Sequence, residues 1–257
     1  MKKVLFLASQ RFDRAPGQRF RFEQYFEFFK NNGFEPVLSP LLDEEADRIF
    51  YHKGNVLQKF QVLRASYLIR KADLKRLNEF DLVFVFRESQ MTRSFRFERE
   101  VAKRGIKMIF DFDDVIWMMN ISAVNQRFSF AKNPEKTSKC TALADRVIAG
   151  NDYLAAYARQ FNSEVTVIPT TVDTDRLTSH RPFREDQHLS SGWTGSHTTI
   201  QYLELLIPVL AAIKEKYPSV KFRFIGDPTL RTDLPDTEIL AWTSKTEVED
   251  LSQLDIG

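Results

Sequence analysis

Three stretches of this sequence gather side chains that do chemistry. In Ile109 to Trp117, IFDFDDVIW, the carboxylates Asp111, Asp113 and Asp114 follow a run apolar enough to be a buried strand. Carboxylates so close repel one another, so they call for a metal, sugar hydroxyls, basic neighbours or a held proton. One Asp capping the next helix is the plain structural alternative. In Ser9 to Arg21, SQRFDRAPGQRFR, the cations Arg11, Arg14, Arg19 and Arg21 stand where a strand ends and a helix opens. Cations there oppose the helix dipole, and an anion shared by the guanidinium groups and the helix end would account for them. A solvated basic loop is the bland counterpart. In Gly192 to Thr199, GWTGSHTT, glycines and hydroxyl residues precede a run with Tyr202, Leu203, Leu206, Leu210 and Ile213 at helical spacing. Such a turn is either a tight, capped entry into a helix or a place where phosphate approaches backbone N–H groups.

These groups need strands and helices to hold them, and the hydrophobic pattern supplies both. Short apolar runs alternate with longer amphipathic ones, the pattern of an α/β protein with a parallel sheet. Strands are expected at Val4 to Ala8, Glu35 to Leu38, Leu82 to Phe86, Lys107 to Phe112, Arg146 to Ala149 and Val165 to Ile168. Helices are expected at Gln18 to Asn31, Val56 to Leu77, Phe95 to Arg104 and Tyr153 to Phe161, with Phe22, Tyr25, Phe26 and Phe29 forming one core-packing face. The texture changes after Pro169. Domains are therefore drawn at 1–170 and 188–257, joined by a polar linker over 171–187. The second domain carries strands at Leu189 to Trp193, Val220 to Ile225 and Ile239 to Trp242, with helices from Thr198 to Lys216 and from Thr246 to Leu251. Pro208 inside the longer of these predicts a kink or break.

Composition narrows the class. With 43% hydrophobic and 28% charged residues the chain is globular rather than disordered. A net charge of +2 gives no global reason to expect nucleic acid as a partner. Cys140 is the only cysteine, which excludes an intrachain disulfide and a cysteine-rich zinc site and points to the cytoplasm. The apolar start Val4 to Ala8 is too short for a signal peptide and reads as a first strand. No apolar run approaches the roughly 20 residues of a spanning helix.

Two known families share pieces of this sequence. DFDDV resembles the first motif of haloacid-dehalogenase-type phosphatases, in which Asp111 would be the nucleophile and Asp113 the general acid around magnesium. Asp114 stands where that family has Gly, its motif sits on a first strand, and its Ser or Thr motif is missing from Val147 to Asn151. The other resemblance spans nearly the whole chain. VIAGNDYLAAYARQF (Val147 to Phe161), VIPTTVDTDRL (Val167 to Leu177), GWTGSHTTIQYL (Gly192 to Leu203) and FRFIGD (Phe222 to Asp227) resemble, in order and spacing, family 4 glycosyltransferases.

That resemblance implies a GT-B fold of two Rossmann-like doubly wound domains, with a nucleotide-sugar held between them. It implies a sugar transferred to an acceptor hydroxyl with retained configuration and without a metal or other cofactor. Thr194, Gly195, Ser196, Gly226 and Asp227 would contact the donor, as would Arg19 and Arg21. Asp113 and Asp114 would act beside the reacting sugar, where relatives carry a His-Asp pair, and Asp111 and Asn151 would lie on the acceptor side. Relatives continue past a strand like Leu254 to Gly257 into a paired-glutamate segment, so the second domain is expected to be incomplete here and the chain to turn over little. A saccharide or a lipid-linked molecule is the expected acceptor. Phe50 to Arg76 offers a peripheral membrane contact, because Lys53, Lys59, Arg64, Arg70, Lys71, Lys75 and Arg76 are interleaved with Phe60, Leu63, Tyr67 and Leu68, with an ordinary surface helix and a solvated basic face as the bland counterpart.

Overall fold

Side chains that alternate in and out of a strand need a layer on each side of the sheet, and the first half of the chain builds both. The structure, a computed structural model, describes residues 1–51, 56–118, 133, 135–178, 188–196, 199–228 and 230–257. The chain divides into two units, 1–172 and 173–257. In the first, strands β1 (Lys2–Ala8), β2 (Phe34–Pro40), β3 (Leu82–Phe86), β4 (Lys107–Phe112), β5 (Arg146–Ala149) and β6 (Val165–Val167) form one parallel sheet in the order β2-β1-β3-β4-β5-β6. Pro36 and Pro40 are tolerated in β2 because it is an edge strand, bonded only to β1.

Successive residues serve opposite layers. Leu5, Leu7, Val83, Val85, Met108, Phe110 and Phe112 pack into one core. Val4, Phe6, Ala8, Phe84 and Phe86 pack into another with Phe22, Phe26 and Phe29. The helix expected over residues 18–31 is three pieces: α1 (Pro16–Arg21), a 3₁₀ turn (Glu23–Tyr25) and α2 (Phe26–Asn31). Phe22 leaves helical backbone at φ −149°, and its ring stacks on Phe6 at 5.2 Å while Phe26 reaches the same ring at 5.0 Å. Burying both aromatics outweighs the loss of one continuous helix.

Two further helices were not expected from the pattern, α3 (Glu44–Tyr51) and α6 (Glu135–Leu143). Asp43 caps the first of them by accepting the Ala46 N–H at 2.8 Å. Helices α4 (Val56–Lys75), α5 (Arg96–Lys103) and α7 (Asp152–Ala158) lie near their expected places.

The second unit is a parallel sheet of β7 (Ser190–Thr194), β8 (Lys221–Gly226) and β9 (Thr237–Ala241), in the order β7-β8-β9. Ile256 bridges Ser191 in parallel on the other side of β7. Its core is Leu203, Val220, Phe222, Phe224, Leu230 and Leu234. Helix α8 (Ile200–Lys216) runs through Pro208 without the break that was one of the two expected outcomes, and α9 (Glu247–Leu251) follows β9. His197 and Thr198, Lys53, and part of the expected linker lie outside the described residues. No helix among the described residues is long and apolar enough to cross a membrane.

Candidate functional site

Parallel strands deliver their following loops to one edge, where open α/β sheets bind ligands. In the first unit this edge collects the loops after β1, β3, β4 and β5. The strand pleat sorts the three carboxylates. Asp111, still within β4, points to the same layer as α1, where Arg21 grips it through Nε at 3.1 Å and through a second guanidinium nitrogen. The third donor group of Arg21 bonds the Ile168 carbonyl oxygen. Burial raises the Asp111 carboxyl to about 6, against the pull of Arg21. A phosphatase nucleophile must meet its substrate, and Asp111 is 1% exposed. It serves instead as an internal counter-ion.

The arginine cluster resolves in the same way. Arg11 and Arg14 reach one Asp47 oxygen at 3.1 and 2.7 Å, and Arg19 lies 2.9 Å from Asp13. The anion that four cations near a helix opening required is thus supplied by the protein's own carboxylates. Arg19 and Arg21, expected to face donor phosphates, are both buried within the first unit.

Asp113 and Asp114 sit just beyond β4. Arg87 donates from Nε to Asp113 at 2.7 Å. Burial works against the Arg87 charge, but the hydrogen bond and charge of Asp113 outweigh it, and the guanidinium holds its proton more tightly than usual. Arg87 follows β3 in left-handed backbone, φ 59°, a conformation that costs a non-glycine residue and clusters at functional sites. Gly17 in α1 lies against this pair, since a Cβ there would stand 3.3 Å from both Arg87 and Asp113. Asp114 is exposed, and one of its oxygens accepts the Val115 N–H at 2.7 Å. Asn151 caps α7 by accepting the Leu154 N–H at 2.9 Å. Beside them the Trp117 ring lies flat on Tyr157, 3.7 Å apart and 3° from parallel, which ties the β4 loop to α7. The sequence reading missed Arg87. Its only signal was a cation placed directly after the apolar run LVFVF, at the edge where ligands bind.

In the second unit Thr194 and Ser196 are exposed at the end of β7. Gly195 donates its N–H to the Ile225 carbonyl at 3.1 Å. A Cβ on Gly195 would lie 2.6 Å from the Thr199 hydroxyl, and one on Gly226 would collide with the Gly195 carbonyl oxygen. The turns after β7 and β8 therefore pack backbone to backbone, which only glycines permit. The Thr199 hydroxyl accepts the Ser196 N–H at 2.9 Å and makes no side-chain cap to α8. Asp227 follows Gly226 on the adjoining turn. The structure brings Thr194, Gly195, Ser196, Gly226 and Asp227 to one edge of this sheet, as it brings Asp113, Asp114 and Asn151 to one edge of the other. Among the described residues no group of His, Cys, Asp and Glu is arranged to hold a metal ion.

The chain's fold is shared with solved structures of low sequence identity. The UDP-GlcNAc 2-epimerase of Neisseria meningitidis, bound to UDP-GlcNAc, matches 98% of this chain and 76% of its own, with TM-score 0.59 and 13% identity. The catalytic domain of starch synthase IV from Arabidopsis thaliana, bound to ADP and acarbose, matches 96% and 76%, with TM-score 0.59 and 9% identity. The structure of MnaA from S. aureus with UDP matches 98% and 71%, with TM-score 0.58 and 11% identity. The chain has the α/β fold of these GT-B glycosyltransferases and epimerases. No family model matches the chain, and no curated protein matches it in sequence.

Proposed function

We propose that this protein is a retaining, metal-independent glycosyltransferase that moves a sugar from a nucleotide-sugar to the hydroxyl of a saccharide or lipid-linked acceptor. It would work in the cytoplasm. The observation that carries this is the edge of the second unit. There the glycine turns after β7 and β8 converge near the opening of α8, a 17-residue helix that Thr199 does not cap with its side chain. The positive end of a helix dipole suits the diphosphate that leaves as a glycosidic bond breaks, and preorganised dipoles there need no cation. Thr194, Gly195, Ser196, Gly226 and Asp227 would hold the donor. Asp113, with Asp114 and Asn151 near it, would meet sugar hydroxyls, and Arg87 would hold Asp113 in place.

Epimerases and transferases share this fold at the same TM-score, so the fold does not choose between them. The order and spacing of the four sequence motifs turn the choice toward transfer. The test is calorimetric titration of the full chain with UDP, ADP and GDP, followed by assay of nucleotide release from a panel of nucleotide-sugars in EDTA. One diphosphate should bind, and the matching donor should release its nucleotide in EDTA. Failure to bind any nucleotide would instead support a non-catalytic protein that keeps the fold. Interconversion of sugar epimers without transfer would assign an epimerase.

A further inference from the structure

Helix α4 is built inside out. Its buried stripe is Lys59, Val62, Ser66, Arg70 and Asp73, four polar residues and one apolar one. Its solvent side carries Val56, Leu57, Phe60, Tyr67 and Leu68, each 46% exposed or more. At about 100° per residue, these five share one arc of roughly 120° with Arg64, Lys71 and Lys75. All three cations are exposed, and none forms an ion pair with a described carboxylate. Asp73 is the only acidic residue from 56 to 76, and it is buried against Arg70. The outer face is therefore apolar and purely cationic.

We propose that this face of α4 docks on an anionic lipid surface. Leu57, Phe60, Tyr67 and Leu68 would enter the headgroup and acyl boundary. Arg64, Lys71 and Lys75, placed among them, would meet lipid phosphates through long stems that lie along the apolar surface. Charge decides between this occupant and a second copy of the chain. Two copies packed on this face would bring cation against cation with no carboxylate on either helix face to offset them, whereas an anionic bilayer supplies the opposite charge over the whole area. The sequence pattern alone suggested a broader basic face, but Lys59 and Arg70 point into the protein and are not part of it. The docking face is the solvent side of α4, away from its buried Arg70, and does not depend on the transfer activity.

The test is flotation of the full chain at low salt with vesicles of phosphatidylcholine alone and with vesicles also containing phosphatidylglycerol. The chain should partition onto the anionic vesicles and be released by salt. Replacing the three cations together (Arg64→Gln, Lys71→Gln, Lys75→Gln) should weaken partitioning on the order of 100-fold. Leu57→Ser with Phe60→Ser should weaken it roughly 10-fold or more. Both sets replace exposed side chains, so an unchanged thermal transition will show that the fold is intact. Equal partitioning onto both kinds of vesicle, or no loss in the cation variant, would overturn the proposal. A dimer in sedimentation velocity that Phe60→Ser dissolves would overturn it in favour of self-association.

Discussion

Arg21 and Asp111 show how a pair of residues that looks catalytic can be architectural. Their side chains are 2% and 1% exposed and joined by two hydrogen bonds, so each charge depends on the other. Arg21→Ala would leave a buried carboxylate without its partner, and about 3 to 5 kcal/mol of folding stability should be lost. Chemical denaturation measures this. A variant as stable as the parent would show that the pair is not held as described. The same carboxyl carries a pH signature. Its folded pKa, about 6, lies above the ordinary 3.8, so the folded form binds more protons between those values. The stability it contributes is fully present below the ordinary value and is lost as pH rises through about 6. The difference in stability between the parent and Asp111→Asn should therefore fall as pH rises across that window and level off above it. A difference that grows with pH would mean that Arg21 keeps Asp111 ionised throughout.

At the scale of elements, α4 works as a clasp over the carboxyl ends of the strands. Arg70 donates to the carbonyl oxygens of Ala8, Ser39 and Ser89, to the Ser39 hydroxyl and to Asp73, at 2.6 to 3.2 Å. Strand ends and the loops after them leave carbonyls that water cannot reach once α4 covers them, and the five-donor guanidinium fork satisfies three such groups at once. Burial lowers its pKa to about 10, still far above any working pH. Lysine keeps the charge but has three donors and no fork. Arg70→Lys should cost about 2 to 4 kcal/mol through the bonds it cannot remake, whereas Lys71→Gln one residue on, exposed, should change stability little. Equal effects in thermal unfolding would refute the clasp. Lys136 plays a similar part from α6, donating to the carbonyls of Gln90 at 2.5 Å and Thr92 at 3.1 Å. Together they fix the loop that carries Arg87.

For the molecule as a whole, each unit owns its core. The apolar clusters of the first unit draw on residues 4 to 167, and the cluster of the second on residues 193 to 239, with no member shared. A domain with its own sheet, helices on both faces and a self-contained core should fold alone. Residues 1–172 expressed separately are expected to unfold cooperatively, with the Arg70 and Arg21 variants as destabilising there as in the full chain. A molten fragment without a cooperative transition would show that the first unit leans on the second.

The parallel α/β class, six of the strands in the first unit and the glycine turns of the second were legible in the sequence. These rest on periodicity and on local turn chemistry, which nearby residues determine. The break of the first helix at Phe22 was not legible, because it is decided by Phe6, a strand away. The same limit applied to the arginines. A sequence shows that Arg11, Arg14, Arg19 and Arg21 need an anion, but Asp47 and Asp111 become that anion only when α3 and β4 are folded against the loop. Arg87 and Asp113 are 26 positions apart and meet only because β3 and β4 are neighbours in the sheet. Helix α4 is the clearest case. Its composition announces a basic amphipathic helix, yet which cations face inward is set by strand-end carbonyls far away in the chain, whose need for donors arises only when water is excluded.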